Sequence, residues 1–100
     1  MTFVRAGVFK AQRDKSDELR RIYDQEVIPM IRSVGGNLGA FLLQQHDDRE
    51  SFIALTAWRT KTDAEAYEHS GKAAQMVDKI RHALSGPPTL VTYDGFGFEP

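Results

Sequence analysis

The chain contains no cysteine, which excludes disulfides, thiolate nucleophiles and thiolate-held metals. It also lacks a dominant charge: 13 Lys plus Arg against 14 Asp plus Glu leave a formal net charge of −1. Such a chain has no general attraction to nucleic acid or to an anionic membrane. No apolar run approaches the roughly 18 residues that span a bilayer. The opening MTFVRAGVFKAQ alternates instead of building an apolar signal block, so it reads as mature sequence. With the missing cysteines, this points to a cytoplasmic protein. Repeats, low-complexity tracts, a P-loop, a nucleophile elbow and a dinucleotide fingerprint are absent too.

What is present is ordinary in amount and informative in order. One hundred residues, 41% hydrophobic and 27% charged, suit a single domain over residues 1–100. By size scaling it buries a little over ~60% of its unfolded surface. Thr2 to Lys10 alternates with period two, Val4, Ala6 and Val8 on one face and Phe3, Arg5, Gly7 and Phe9 on the other. Ser16 is placed to cap a long helix with Asp17 and Glu18 in its first turn. Its stripe is Leu19, Ile22, Tyr23, Val27, Met30 and Val34. Pro29 should kink the last turns or end the regular helix near Ile28, and Gly35-Gly36 stops it.

Gly39 to Gln45 and Ser51 to Trp58 read as a hairpin around the turn Asp47-Asp48-Arg49-Glu50. Thr62-Asp63-Ala64-Glu65 has the spacing of a capping box and Ser70-Gly71 interrupts the helix it starts. A further helix carries Ala73, Met76, Val77, Ile80 and Leu84 inward and ends at Gly86, and Thr89 to Phe98 is the last strand. The order is β-α-β-β-α-β with the second helix split: an α+β, ferredoxin-like arrangement. Helices cover one sheet face only, yet both faces are apolar. Ile53, Leu55 and Ala57 alternate with Phe52, Ala54, Thr56 and Trp58. We therefore expect a homodimer packed sheet against sheet.

The run FIALTAWRTKTDAEAYEHSGKAAQMVDKI, Phe52 to Ile80, places the only tryptophan at a strand end facing a broken helix pair. With the LSGPPTLVTYD that follows, it resembles the antibiotic biosynthesis monooxygenase family of the dimeric α/β-barrel superfamily. Trp58, Tyr67 and Ser70-Gly71 occupy the places of that pattern's strand-end tryptophan, short-helix aromatic and small-residue break. The resemblance implies the dimeric barrel fold. It implies function less sharply, because the superfamily includes quinol monooxygenases, haem-degrading enzymes and stress-response proteins.

Departures from the pattern narrow this. The positions of the haem-degrading branch's asparagine, tryptophan and haem-ligating histidine fall on Gly7, Tyr67 and Val77 (or Gln75). Haem degradation by that route is not expected. Where quinol monooxygenase relatives often carry two histidines, this chain has Tyr67 and Lys72.

Six polar or aromatic positions are candidates for chemistry. Glu26 falls between Leu19 and Ile22 on the helix stripe, so its carboxylate would face the sheet as a general base. The alternative is a solvated Glu paired with an arginine such as Arg5. Arg5 sits mid-strand between Phe3 and Phe9; it would stabilise a phenolate oxygen or be a structural partner of Glu26 or Asp94. Trp58 and Tyr67 would clamp a planar ring, or fill the core. Lys72 joins the substrate-binding set by position. His46 with Asp47 and Asp48 lacks a second histidine at ligand spacing, so no metal site is assigned.

The resemblance implies a cofactor-independent monooxygenase for a phenolic, quinol or polycyclic aromatic substrate, with Glu26 as base, Arg5 on the oxyanion and the aromatics on the ring. No cofactor is expected. The alternative is a non-catalytic dimer that binds a small ligand or serves a stress-related role. RNA binding fits poorly, since SFIALTAW has neither the basic start nor the glycines of an RNP1 strand.

Overall fold

A computed structural model describes residues 1–98. Four strands, β1 (Thr2–Lys10), β2 (Asn37–Gln44), β3 (Ser51–Trp58) and β4 (Thr89–Gly95), form one antiparallel sheet in the order β2-β3-β1-β4. The helices are α1 (Ser16–Ile22), α2 (Ile28–Arg32), α3 (Lys61–His69) and α4 (Lys72–Ile80). This is the expected ferredoxin-like α+β fold with its second helix split. Ser70 and Gly71 make the split: Gly71 takes a left-handed φ of 86°, which glycine adopts at no steric cost.

Register assigns the two sheet faces. Phe3, Arg5, Gly7 and Phe9 pair with Trp58, Thr56, Ala54 and Phe52, and this face carries the core with the helices. Phe9, Phe52, Trp58, Leu19, Val27, Ile31, Tyr67, Met76 and Ile80 are all buried in one cluster. Phe9 and Phe52 stack with centroids 5.7 Å apart. On the opposite face Val4, Ala6 and Ala57 are buried, while Val8, Phe41, Leu43, Ile53 and Tyr93 are exposed.

The long helix corrects one expectation in a way that matters for the site. Of the two outcomes expected of Pro29, the helix does not end near Ile28; it runs to Arg32, its regular turns interrupted by a π-turn over Tyr23–Val27. Pro29 has no N–H to give the carbonyl four residues back, and the Ile28 N–H bonds to the Tyr23 carbonyl, five residues back. The extra residue rotates everything beyond it by about 100°. Ile31 therefore takes the buried place expected of Met30. By the same rotation Val27 takes the angular place expected of Glu26, and it is fully buried.

Both expected helix caps also move. Ser16 lies inside α1, where its hydroxyl donates to the Arg49 carbonyl at 3.1 Å, and Lys15 holds the cap position without a side-chain bond. The cap of α3 is Thr60, two residues before the expected box; its Oγ1 accepts from the Asp63 N–H at 3.1 Å. The extended backbone of Thr60 turns its hydroxyl toward the third helical residue. β2 begins earlier than expected, with a register shift between Asn37 and Gly39. β4 ends at Gly95, leaving Phe96 and Phe98 beyond the ladder, and α4 gives way to a 3₁₀ turn at Arg81–Ala83 rather than running to Gly86.

Candidate functional site

Between the inner sheet face and the split helix lies a cavity of about 250 Å³. Its floor is Arg5, Gly7 and Phe9 of β1 with Ala54 and Thr56 of β3. Tyr67, Ala73, Met76, Val77 and Ile80 roof it, Tyr23 and Ile31 close one side, and Pro88 and Leu90 the other. Gly7 and Ala54 sit opposite each other in the register, and their small side chains leave the space above them open. The lining is apolar except for Arg5, Thr56 and the two tyrosines.

Arg5 is 13% exposed and its guanidinium lies 5.7 Å from the Tyr67 ring centroid, a cation–π contact. It stands 3.8 Å from the half-exposed Glu68 carboxylate, too far for a hydrogen bond. Both tyrosines are held protonated. Burial pushes the Tyr23 phenol well above the ordinary value, with the Tyr67 phenol adding to the rise and Arg5 opposing it. Tyr67 is raised by burial as well, again against Arg5. At neutral pH the wall therefore presents a cation and two phenolic O–H groups.

Trp58 is fully buried and stacks on Tyr67, centroids 5.0 Å apart and planes at 29°. Its Nε1 donates to Thr56 Oγ1 at 2.8 Å. That separation leaves no room for a third ring between them, and Trp58 does not reach the cavity wall. The expected two-sided clamp is thus a stacked pair, in which Tyr67 meets the cavity and Trp58 braces it from behind.

Glu26 does not face the sheet. Its side chain is 48% exposed and pairs with Lys79 of α4 at 3.2 Å, because the π-turn rotates Val27 into the inward position. Arg5 pairs with neither of its expected partners, Glu26 or Asp94, but with Glu68. Lys72 is exposed at the start of α4 and is not on the cavity wall. In the sequence Tyr23 is one member of the buried stripe, yet a tyrosine there needs somewhere for its hydroxyl. Tyr23 lines the cavity. A larger concavity, about 520 Å³, lies at the hairpin end of the sheet; Val8, Leu43 and Ile53 of the outer face line it in part.

The model of the antibiotic biosynthesis monooxygenase family matches residues 2–79. The chain belongs to this family. Solved structures share the fold. One, from Nitrosomonas europaea and assigned to the same family, is 21% identical with a TM-score of 0.82, covering 96% of this chain and 91% of its own. Another, from Bordetella bronchiseptica with the same assignment, is 11% identical with a TM-score of 0.83, covering 95% and 97%. A third is the monooxygenase ActVA-Orf6 of Streptomyces coelicolor in complex with nanaomycin D. It is 20% identical with a TM-score of 0.80, covering 95% of this chain and 88% of its own. At these identities the likeness is one of fold. No curated protein matches the sequence.

Proposed function

We propose that the protein is a cofactor-independent monooxygenase that oxidises a small phenolic, quinol or polycyclic aromatic compound in the cavity beneath α3 and α4. The observation that carries this reading is the convergence of Arg5 and two tyrosines on an otherwise apolar space. Membership of the monooxygenase family supports it, as does the monooxygenase of the same fold in complex with nanaomycin D. Arg5 favours the ionised form of a ring hydroxyl by placing a positive charge beside it. Tyr67, braced by Trp58, fixes the ring's orientation. The electron-rich ring then reduces dioxygen itself: one ring C–H carbon and the ring C–OH carbon both become C=O, one oxygen atom enters the product, and the other leaves as water with the C–H and O–H hydrogens. Apolar walls keep bulk water from the reacting carbon.

Glu26 has no part in this reading, since it lies on the outer surface of the helix. The protein acts as a cytoplasmic homodimer, its exposed Val8, Phe41, Leu43 and Ile53 covered by the same face of a second copy. A second reading, a non-catalytic binding protein for the same ligands, is favoured by one observation. Among the described residues no carboxylate or imidazole stands on the cavity wall, so none of them supplies a side-chain base there.

Oxygen uptake with a panel of quinols, anthrones and naphthols separates the two. Turnover in the native protein, lowered on the order of a hundredfold in Arg5→Gln, is the expected result. A ligand retained in native mass spectrometry, without oxygen consumption on any ring tested, selects the binding protein.

A further inference from the structure

Among the described residues Arg5 is the only charged side chain on the cavity wall. Its ion pair, like that of exposed Lys61 with Glu65 at 3.7 Å, has no hydrogen bond, but Arg5 alone brings a mostly buried cation to such a pair. Among the described residues its one carboxylate neighbour is Glu68, at 3.8 Å. That distance neutralises charge without occupying any of the guanidinium's five N–H donors. Lys79 and Glu26, by contrast, are hydrogen-bonded at 3.2 Å. Glu68 is 49% exposed, so water can replace Arg5 as its partner at small cost. Arg5 is mostly buried and has no such replacement except something within the cavity.

The remaining polar groups on the wall point to the same kind of ligand. Thr56 already accepts from the Trp58 indole. Tyr23 and Tyr67 stay protonated through burial, so each offers a donor. A ring carrying an oxyanion meets a cation and hydroxyl donors, whereas a neutral ring meets hydroxyl groups alone and gains nothing from the charge of Arg5. The desolvation of the anion is offset by charge-assisted hydrogen bonds to Arg5.

We propose that the cavity selects a ring-borne oxyanion, carboxylate or phenolate, and that Glu68 is a resident counter-ion which this oxyanion displaces from Arg5. The proposal rests on the cavity being the ligand site and needs no turnover. Glu68 is a positioning residue: it holds the Arg5 guanidinium until an anion takes its place. Removing its charge should strengthen anion binding and leave neutral ligands unaffected.

Isothermal titration calorimetry with 2-naphthoate and its uncharged counterpart 2-naphthamide tests this without reference to oxygen chemistry. The native protein should bind the carboxylate about tenfold or more tighter than the amide. Arg5→Gln should erase that preference. Glu68→Gln changes a half-exposed side chain and does not threaten the fold; it should tighten naphthoate by about two- to fivefold and leave naphthamide unchanged. Glu65→Gln, which removes an equal charge from the same helix at a residue paired with Lys61, should alter neither. Equal affinity for the two ligands, no saturable binding of either, an unchanged or weaker naphthoate affinity in Glu68→Gln, or an equal gain in Glu65→Gln would each overturn the proposal. Should naphthoate bind as described while no ring consumes oxygen, the proposal stands and the monooxygenase reading falls.

Discussion

The two faces of the sheet are built from the same strands and are apolar to a similar degree, yet they solve different problems. The outer face presents aliphatic and aromatic side chains in the open, Val8, Phe41, Leu43 and Ile53 among them. The inner face buries most of its residues under helices and reserves a small space above Gly7 and Ala54. Into that space it turns Arg5, Tyr23 and Tyr67. Apolar surface alone, as on the outer face, recognises another apolar surface. Apolar surface with a few aimed polar groups recognises a small molecule in one orientation.

The largest expected effect concerns the floor of the inner face. Trp58→Ala removes a fully buried ring and the support of Tyr67, and should cost about 3–5 kcal/mol in urea unfolding. A loss below about 1 kcal/mol would mean that the stacked pair does not organise this side. On the outer face, Leu43→Asp combined with Ile53→Asp should convert a dimer into a folded monomer by light scattering at micromolar concentration. If the native protein is already monomeric, the outer face has another use.

A subtler difference is alkaline behaviour. Tyr23 and Tyr67 have raised folded pKa values, so the folded state holds their protons more tightly than the unfolded state does. Stability from this source is intact below the ordinary phenol value of 10.0 and is lost as pH rises beyond it. Tyr23→Phe should flatten the fall in urea midpoint above that pH; an unchanged slope would show that Tyr23 is not buried as described. The smallest effect is expected at Glu26. Glu26→Gln loses an exposed ion pair and should change stability by under about 0.5 kcal/mol, with turnover and ligand affinity intact. Loss of activity in this variant would return Glu26 to the role of base.

Much of this contrast was legible in the sequence. Period two in β1 and β3 assigned both faces, and the Ser70-Gly71 break with the stripe Met76 and Ile80 assigned the roof. Arg5 was recognisable as a charge among apolar neighbours. Glu26 was misplaced because an ideal helix was assumed, whereas the π-turn depends on how the backbone reroutes its hydrogen bonds before Pro29. The same extra residue exchanged Met30 for Ile31. Trp58 and Tyr67 read in the sequence as a ring clamp or as core, and the 5.0 Å stacking that excludes a ring between them depends on the helix's approach to the strand end. The partner of Arg5 is not legible for a similar reason: Glu68 lies next to Tyr67 in the chain, and only the packing of α3 on β1 brings it to the guanidinium.

The central claim is that small aromatic ligands enter the inner face and not the outer one. Methyl-resolved NMR during titration with 2-naphthoate tests it directly. The Ala54, Met76 and Ile80 methyls should shift together and saturably, while those of Val8, Leu43 and Ile53 stay in place. Shifts confined to Val8, Leu43 and Ile53 would contradict the account and move the ligand to the other side of the sheet.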